Sequence, residues 1–161
     1  MSHYKTTLPN EAATQALGKC LAHALSPGLS IFLHGDLGAG KTALARAMIH
    51  AAGHVGNVKS PTYTLAEPYQ VTLKGQAVTI MHFDLYRMIS AEEFTEAGFR
   101  DEFNDSNICI VEWPEKADGV LPTPDLNVFL RVAGHGREVE LHALSVKGTA
   151  CLALLKFAPN L

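Results

Sequence analysis

Eight consecutive residues, Gly35-Asp36-Leu37-Gly38-Ala39-Gly40-Lys41-Thr42, satisfy the spacing G-x-x-x-x-G-K-[ST], a pattern suited to holding phosphate groups. Glycines at Gly35, Gly38 and Gly40 allow left-handed turns, so that successive backbone N–H groups converge on phosphate oxygens. A helix starting near Lys41 would add the positive end of its dipole. Lys41 has the reach and charge for β- and γ-phosphates, and the Thr42 hydroxyl is a ligand type that Mg²⁺ accepts. Asp36, Leu37, Gly38, Ala39, Gly40, Lys41 and Thr42 are therefore the candidate contacts to a nucleotide, with Mg²⁺ as its companion ion.

Mg²⁺ takes octahedral oxygen coordination, commonly with carboxylate help. Two acids stand at the ends of apolar runs: Asp84 after Thr79-Ile80-Met81-His82-Phe83, and Glu112 after Ile108-Cys109-Ile110-Val111. Either one suits the metal, directly or through water, and the other then suits the attacking water as orienter or base. Thr42, Asp84 and Glu112 are thus the candidate metal-side residues, and on residue type alone the choice between the two acids stays open. Ser60-Pro61-Thr62-Tyr63-Thr64 follows shortly after the loop and its helix. A hydroxyl-rich segment there, Thr62 in particular, suits sensing of a third phosphate. Trp113, the only tryptophan, suits either stacking on a base or filling the core. His50 and His54 stand four apart, but no Cys or carboxylate falls at zinc-like spacing beside them, and the eight histidines read as scattered over the surface.

These residues need elements to position them. Leu29-Ser30-Ile31-Phe32-Leu33 has the composition of a buried strand, and Lys41 to Ala52 is rich in helix formers, with Gly53 beyond it as a C-cap. Upstream, Asn10 suits the cap of a helix over Glu11 to Leu25, with Ala13, Leu17, Leu21 and Ala24 on one face and Ser26-Pro27-Gly28 ending it. Thr62 to Val71 and Ala77 to Phe83 read as a hairpin turning at Lys74-Gly75-Gln76. Ser90, with Glu93 three residues on, matches a capping box for a short helix ending near Ala97. Ile108 to Val111 reads as a strand covered on both faces. Leu126 to Val132 and Arg137 to Ala143 form a closing hairpin around Gly134-His135-Gly136. Leu152 to Phe157 is an apolar segment fit to pack back or to meet a partner. The fold class is α/β: a small mixed sheet, parallel at its core with antiparallel hairpins, flanked by helices. Ligand is expected at the carboxyl ends of the strands.

A length of 161 residues suits a single domain that buries roughly two-thirds of its unfolded surface without disulfide staples. Apolar residues at 47% and charged residues at 18% are ordinary for a soluble globular protein. No apolar run approaches the roughly 20 residues that span a membrane, and Met1 to Pro9 carries no signal-like hydrophobic core. Cys20, Cys109 and Cys151 are far apart and odd in number, as free thiols in a reducing cytoplasm would be. A net charge of −3 argues against tight nucleic-acid binding by this chain alone; RNA, if involved, is expected to be held by a partner.

Four segments occur in order: Gly35 to Thr42, Ser60-Pro-Thr-Tyr-Thr-Leu65, His82-Phe-Asp-Leu-Tyr-Arg87 and Ile110-Val-Glu-Trp-Pro-Glu115. Together they resemble the bacterial TsaE (YjeE) family, the ATPase of tRNA threonylcarbamoyladenosine synthesis. The resemblance runs from Pro9-Asn10-Glu11 to the closing hairpin, and the last three segments are its specific part. It implies a P-loop ATPase using ATP and Mg²⁺, with Thr42 and Glu112 as metal ligands, Asp84 as the catalytic acid and Ser60 to Thr64 as a switch. It places Trp113 beside the nucleotide and Glu11 to Thr14 toward the adenine, with Arg137 as a further candidate contact. It implies work with the transferase TsaD and its companion TsaB on the adenosine beside the anticodon, in tRNAs reading codons that start with A. ATP turnover in such a subunit resets the complex, and tRNA is reached through it.

The sequence offers no obvious arginine finger, whose absence costs about 10³ to 10⁵ in rate, so slow hydrolysis by the isolated chain is expected. A small-molecule kinase is the competing enzyme; only Arg87 and Arg100 fall where its arginine-rich lid would lie. A GTPase finds only a partial base-recognition match in Glu115-Lys116-Ala117-Asp118. A nucleotide-gated scaffold without turnover is the non-enzymatic alternative.

Overall fold

The computed structural model describes residues 3–156. In chain order the elements are strand β1 (His3–Leu8), helix α1 (Glu11–His23), β2 (Ser30–His34), α2 (Lys41–Ala51), β3 (Ala66–Leu73) and β4 (Gln76–Asp84). There follow α3 (Glu92–Glu96), a 3₁₀ turn (Phe99–Glu102), β5 (Ile108–Glu112), a second 3₁₀ turn (Pro114–Ala117), β6 (Leu126–Ala133), β7 (Gly136–Ala143) and α4 (Val146–Lys156). The strands form one seven-stranded sheet in the order β1-β7-β6-β2-β5-β4-β3.

The most apolar segments occupy the centre. Strands β4, β5, β2 and β6 pair in parallel, while β3, β7 and β1 join antiparallel at the flanks. Every residue of β5 is buried, which is why it reads as a continuous apolar run rather than an alternating one. On one face, Ile31, Leu33, Ile80 and Ile110 pack under Leu17 and Leu21 of α1 and Leu44, Met48 and Ile49 of α2. On the other, Phe32, Phe83 and Val111 pack with Phe94 of α3, and the Phe83 ring meets Phe99 and Phe103 at 5.3 and 5.4 Å. Helices therefore cover both faces of the parallel centre, as parallel strands require.

Local chemistry sets the helix starts. The Asn10 side chain accepts the Ala13 N–H at 2.9 Å, capping α1 as its residue type predicts. Helices α1 and α2 lie unusually close: a Cβ on Gly18 would stand 2.5 Å from the Ala47 Cβ. Among the described residues no helix is long and apolar enough to cross a membrane.

The structure corrects four expectations. Strand β3 begins at Ala66 rather than Thr62: the Leu65 N–H bonds back to the Pro61 carbonyl at 2.7 Å, and Leu65 takes φ 69°, so 62–65 is a turn despite its β-prone residues. Ser90 does not cap α3. The cap position is Ala91, and the Glu93 carboxylate accepts from Ile89 N–H instead of from Ser90. His82 is not on the surface but fully buried. Residues 3–8, expected only to lack a signal core, are a strand pairing with β7. The apolar C-terminal segment packs back, with Leu152 and Leu155 in the core; Phe157 lies outside the described residues.

Candidate functional site

Parallel register brings the chemistry together. Leu33 of β2 lies opposite Glu112 of β5, and Glu112 lies opposite Asp84 of β4. Side chains at matched positions point to the same face of a sheet, so both acids stand side by side, next to the point where β2 leaves the sheet for the loop. Two residues back, His82 lies opposite Ile110, on the same face as Asp84 and diagonal to Glu112.

The loop from Gly35 to Gly40 runs from β2 into α2. Gly40 is the N-cap of α2 with φ 108°, a left-handed backbone that favours glycine. Gly35 has a steric reason as well: a Cβ there would lie 2.6 Å from the Leu130 carbonyl oxygen. Lys41, the first residue of α2, is only 4% exposed. Its ammonium donates to the Gly35 carbonyl and, at 3.0 Å, to the Asp36 carbonyl, and it lies 4.2 Å from the centre of the Trp113 ring. Burial lowers the proton affinity of Lys41, against the opposing pull of Glu112, Glu115, Asp84 and Asp36. An ammonium so placed is a poorly solvated positive charge facing a cluster of acids, suited to an added anion.

The Thr42 hydroxyl donates to Glu112 Oε1 at 2.7 Å, and His82 Nε2 donates to Glu112 Oε2 at 2.7 Å. Glu112 is 1% exposed, and both its oxygens are held. Asp84 accepts the Thr62 hydroxyl at Oδ2, 3.2 Å away, and the Tyr86 N–H at Oδ1, 3.1 Å away. Burial raises the Asp84 pKa above the usual carboxylate range, and the neighbouring charge of Glu112 adds to this, while the Tyr86 and Thr62 bonds and His82 work against it. Such a carboxyl accepts a proton more readily than an exposed one.

Leu37, Gly38, Gly40, Lys41, Thr42, Thr62, Asp84, Glu112, Trp113 and Arg137 all line one cavity of about 590 Å³. Three expected residues lie elsewhere. Asp36 and Ala39 serve through their carbonyls, which accept from Lys41 and Arg137. Glu11 lines an adjoining cleft of about 240 Å³ with Asn10 and Thr14, meeting the main cavity at Gly40, Ala43 and Arg137. Arg137 grips the loop: Nε donates to the Ala39 carbonyl at 3.0 Å and one terminal nitrogen to the Gly38 carbonyl at 3.2 Å.

Three residues near the acids were not among the expected site residues. Tyr86 and Arg87 line the cavity, and Arg87 stacks 4.5 Å over the Tyr63 ring while donating to its hydroxyl at 3.2 Å. His82 is the third. The available signal was a lone imidazole inside an otherwise apolar strand, two residues before an acid.

Among the described residues no three His, Cys, Asp or Glu side chains converge to hold a metal unaided. The Thr42–Glu112 pair nevertheless fits Mg²⁺. Its 2.7 Å oxygen separation is close to the about 2.9 Å edge of an octahedron with metal–oxygen bonds of about 2.05 Å, leaving the remaining positions to phosphate and water.

The family model described as "Threonylcarbamoyl adenosine biosynthesis protein TsaE" matches residues 8–139. The chain belongs to the TsaE family. The matched span holds every residue of the site described above. The chain is 44% identical over 141 residues to the tRNA threonylcarbamoyladenosine biosynthesis protein TsaE of Haemophilus influenzae, covering 84% of this chain and 87% of the relative. Against the TsaE protein of the same description from Bacillus subtilis it is 31% identical over 145 residues, covering 89% and 88%. The crystal structure of YdiB from Bacillus subtilis superposes with a TM-score of 0.75 at 26% identity, over 96% of this chain and 95% of that one. TsaE membership thus rests on sequence and architecture alike.

Proposed function

We propose that this TsaE-family chain is an ATPase of tRNA threonylcarbamoyladenosine biosynthesis, acting as a nucleotide-driven switch on the TsaD–TsaB transferase pair. One observation carries the reading: Thr42, Glu112 and Asp84 come from three separate segments and converge beside the phosphate-loop lysine. Thr42 and Glu112 would hold Mg²⁺, which when bound would supply charge neutralisation. Lys41 turns from the Gly35 and Asp36 carbonyls to the phosphate oxygens, where its charge is better compensated. Asp84, its proton affinity raised by burial, orients the attacking water and accepts its proton.

Thr62 is bonded to Asp84 and also to the Ser60 hydroxyl at 2.7 Å, so the 60–64 segment is linked to the acid at the reaction centre. That linkage supports a switch in which a third phosphate recruits Thr62. The cleft at Glu11 and Thr14 takes the adenine side of ATP. Both arginines lining the cavity are engaged elsewhere, Arg137 on loop carbonyls and Arg87 on Tyr63. Hydrolysis by the chain alone is therefore slow, and contact with TsaD and TsaB completes the site, tRNA being held by the complex in the cytoplasm.

The test is Asp84→Ala in a reconstituted modification reaction. ATPase action requires that the variant keep its ATP affinity and lose modification. Intact modification would leave a scaffold that binds nucleotide without needing turnover. Tighter binding of GTP than ATP, or transfer of phosphate to a small acceptor faster than to water, would replace this reading outright.

A further inference from the structure

His82 is fully buried, yet among the described residues only one of its two ring nitrogens has a partner. A carboxylate without a proton only accepts hydrogen bonds, so Nε2 carries a hydrogen and donates to Glu112 Oε2 at 2.7 Å. Among the described residues Nδ1, buried, has no hydrogen-bond partner. In either charge state of the ring that nitrogen is unsatisfied, as a lone pair or as an N–H, and burial makes this unfavourable. The flanking positions Ile80, Met81 and Phe83 are apolar and buried. A residue serving only to fill this space would be apolar too.

We propose that His82 is a positioning residue for Glu112: its Nε2–H anchors Oε2 and thereby presents Oε1 to Thr42, setting the oxygen pair that receives Mg²⁺. This rests on the proposed metal role of Glu112. The geometry gives a reason for the anchor. Glu112 ends β5, and its carboxyl can rotate about the last side-chain bond. With only the Thr42 bond to Oε1, that rotation would be unopposed if the Thr42 hydroxyl were engaged by a metal. The bond from His82 comes from the neighbouring strand on the same face of the sheet and does not depend on Thr42. Hydrogen-bonded partners of this kind, one step removed from a metal, typically change its affinity 10- to 100-fold when removed.

The experiment follows binding rather than turnover. Affinity for the ATP analogue with an imido group bridging the β- and γ-phosphates is read from Trp113, the only tryptophan, across a Mg²⁺ series and in chelator. The variants are His82→Phe and His82→Met, which lack the donor, and His82→Gln, whose amide N–H can replace it. The expected result is a 10- to 100-fold rise in the Mg²⁺ concentration needed for half of the tightening in the first two. Affinity in chelator stays within twofold of wild type, and the glutamine variant stays near wild type. Two donor-free variants guard against one failing to fold. An unshifted Mg²⁺ requirement in the donor-free variants overturns the proposal, as does an equal shift in all three, which marks a space-filling role. If Mg²⁺ does not tighten binding to the wild-type chain, the metal reading of Glu112 fails and the proposal falls with it; a wild-type response with unshifted variants removes the His82 role alone.

Discussion

Replacing Arg137 by alanine separates the nucleotide contact expected from the sequence from the loop contacts found in the fold. As a nucleotide contact, the guanidinium would matter only when ligand is bound. In the fold it splints the phosphate loop from β7, bonding the Ala39 carbonyl at 3.0 Å and the Gly38 carbonyl at 3.2 Å. Because the C=O and N–H of one peptide plane point in opposite directions, holding the Ala39 carbonyl outward also aims the Gly40 N–H. A half-buried guanidinium bond of this type contributes about 0.5–1.5 kcal/mol, so losing both costs roughly 1–3 kcal/mol. At about 2–4 °C per kcal/mol for a chain of this size, Arg137→Ala should lower the melting temperature of the ligand-free protein by roughly 2–12 °C. A loop that must then order itself on binding loses roughly 10- to 30-fold in nucleotide affinity, about 1.4–2 kcal/mol. Arg137→Lys, with one ammonium for two carbonyls, should fall between. The assays are thermal unfolding without ligand and ADP titration. An unchanged ligand-free melting temperature together with weakened ADP binding would refute the splint and restore the direct contact.

Other outcomes follow from the same geometry. Asp84→Asn should keep ADP affinity within a few-fold and lower ATP hydrolysis by about 10² or more, the usual scale for a lost general base; hydrolysis within fivefold of wild type would exclude that role. The same variant has a pH signature. Because the folded Asp84 pKa is raised, its contribution to stability is present below the unfolded value near 3.9 and is lost as pH rises through the folded value. Wild-type melting curves should therefore lose stability over that window relative to Asp84→Asn, and parallel curves would contradict the burial argument. Gly18→Ala would force a Cβ to within 2.5 Å of the Ala47 Cβ and 3.1 Å of the Ala47 carbonyl carbon, so α1 must move off α2. Urea unfolding should show a loss of about 1–3 kcal/mol, and a stabilised variant would contradict the close packing.

What was legible in the sequence was local. The phosphate loop, the Asn10 cap, the Lys74-Gly75 turn and both hairpins depend on residues near one another in the chain, and all are present. The 62–65 turn was not legible, because its Thr and Tyr residues favour strands while the structure needs Leu65 at φ 69°, a conformation no leucine announces. Strand β1 was missed for a different reason. As an edge strand it buries only Leu8 among its residues, so it shows no apolar run and owes its place to pairing with β7 across most of the chain. The two acids were visible as strand ends, but their adjacency comes from parallel register between β4 and β5, which sequence spacing does not encode. His82 stood within a quoted motif, and only the fold reveals what it touches.

The decisive measurement is ATP hydrolysis by the chain alone and then with TsaD and TsaB added. A partner-completed switch gives a low rate alone, a clear rise with the pair present, and a fall to background for Lys41→Ala in both conditions. A rate that does not respond to the pair, or that survives loss of Lys41, would contradict it.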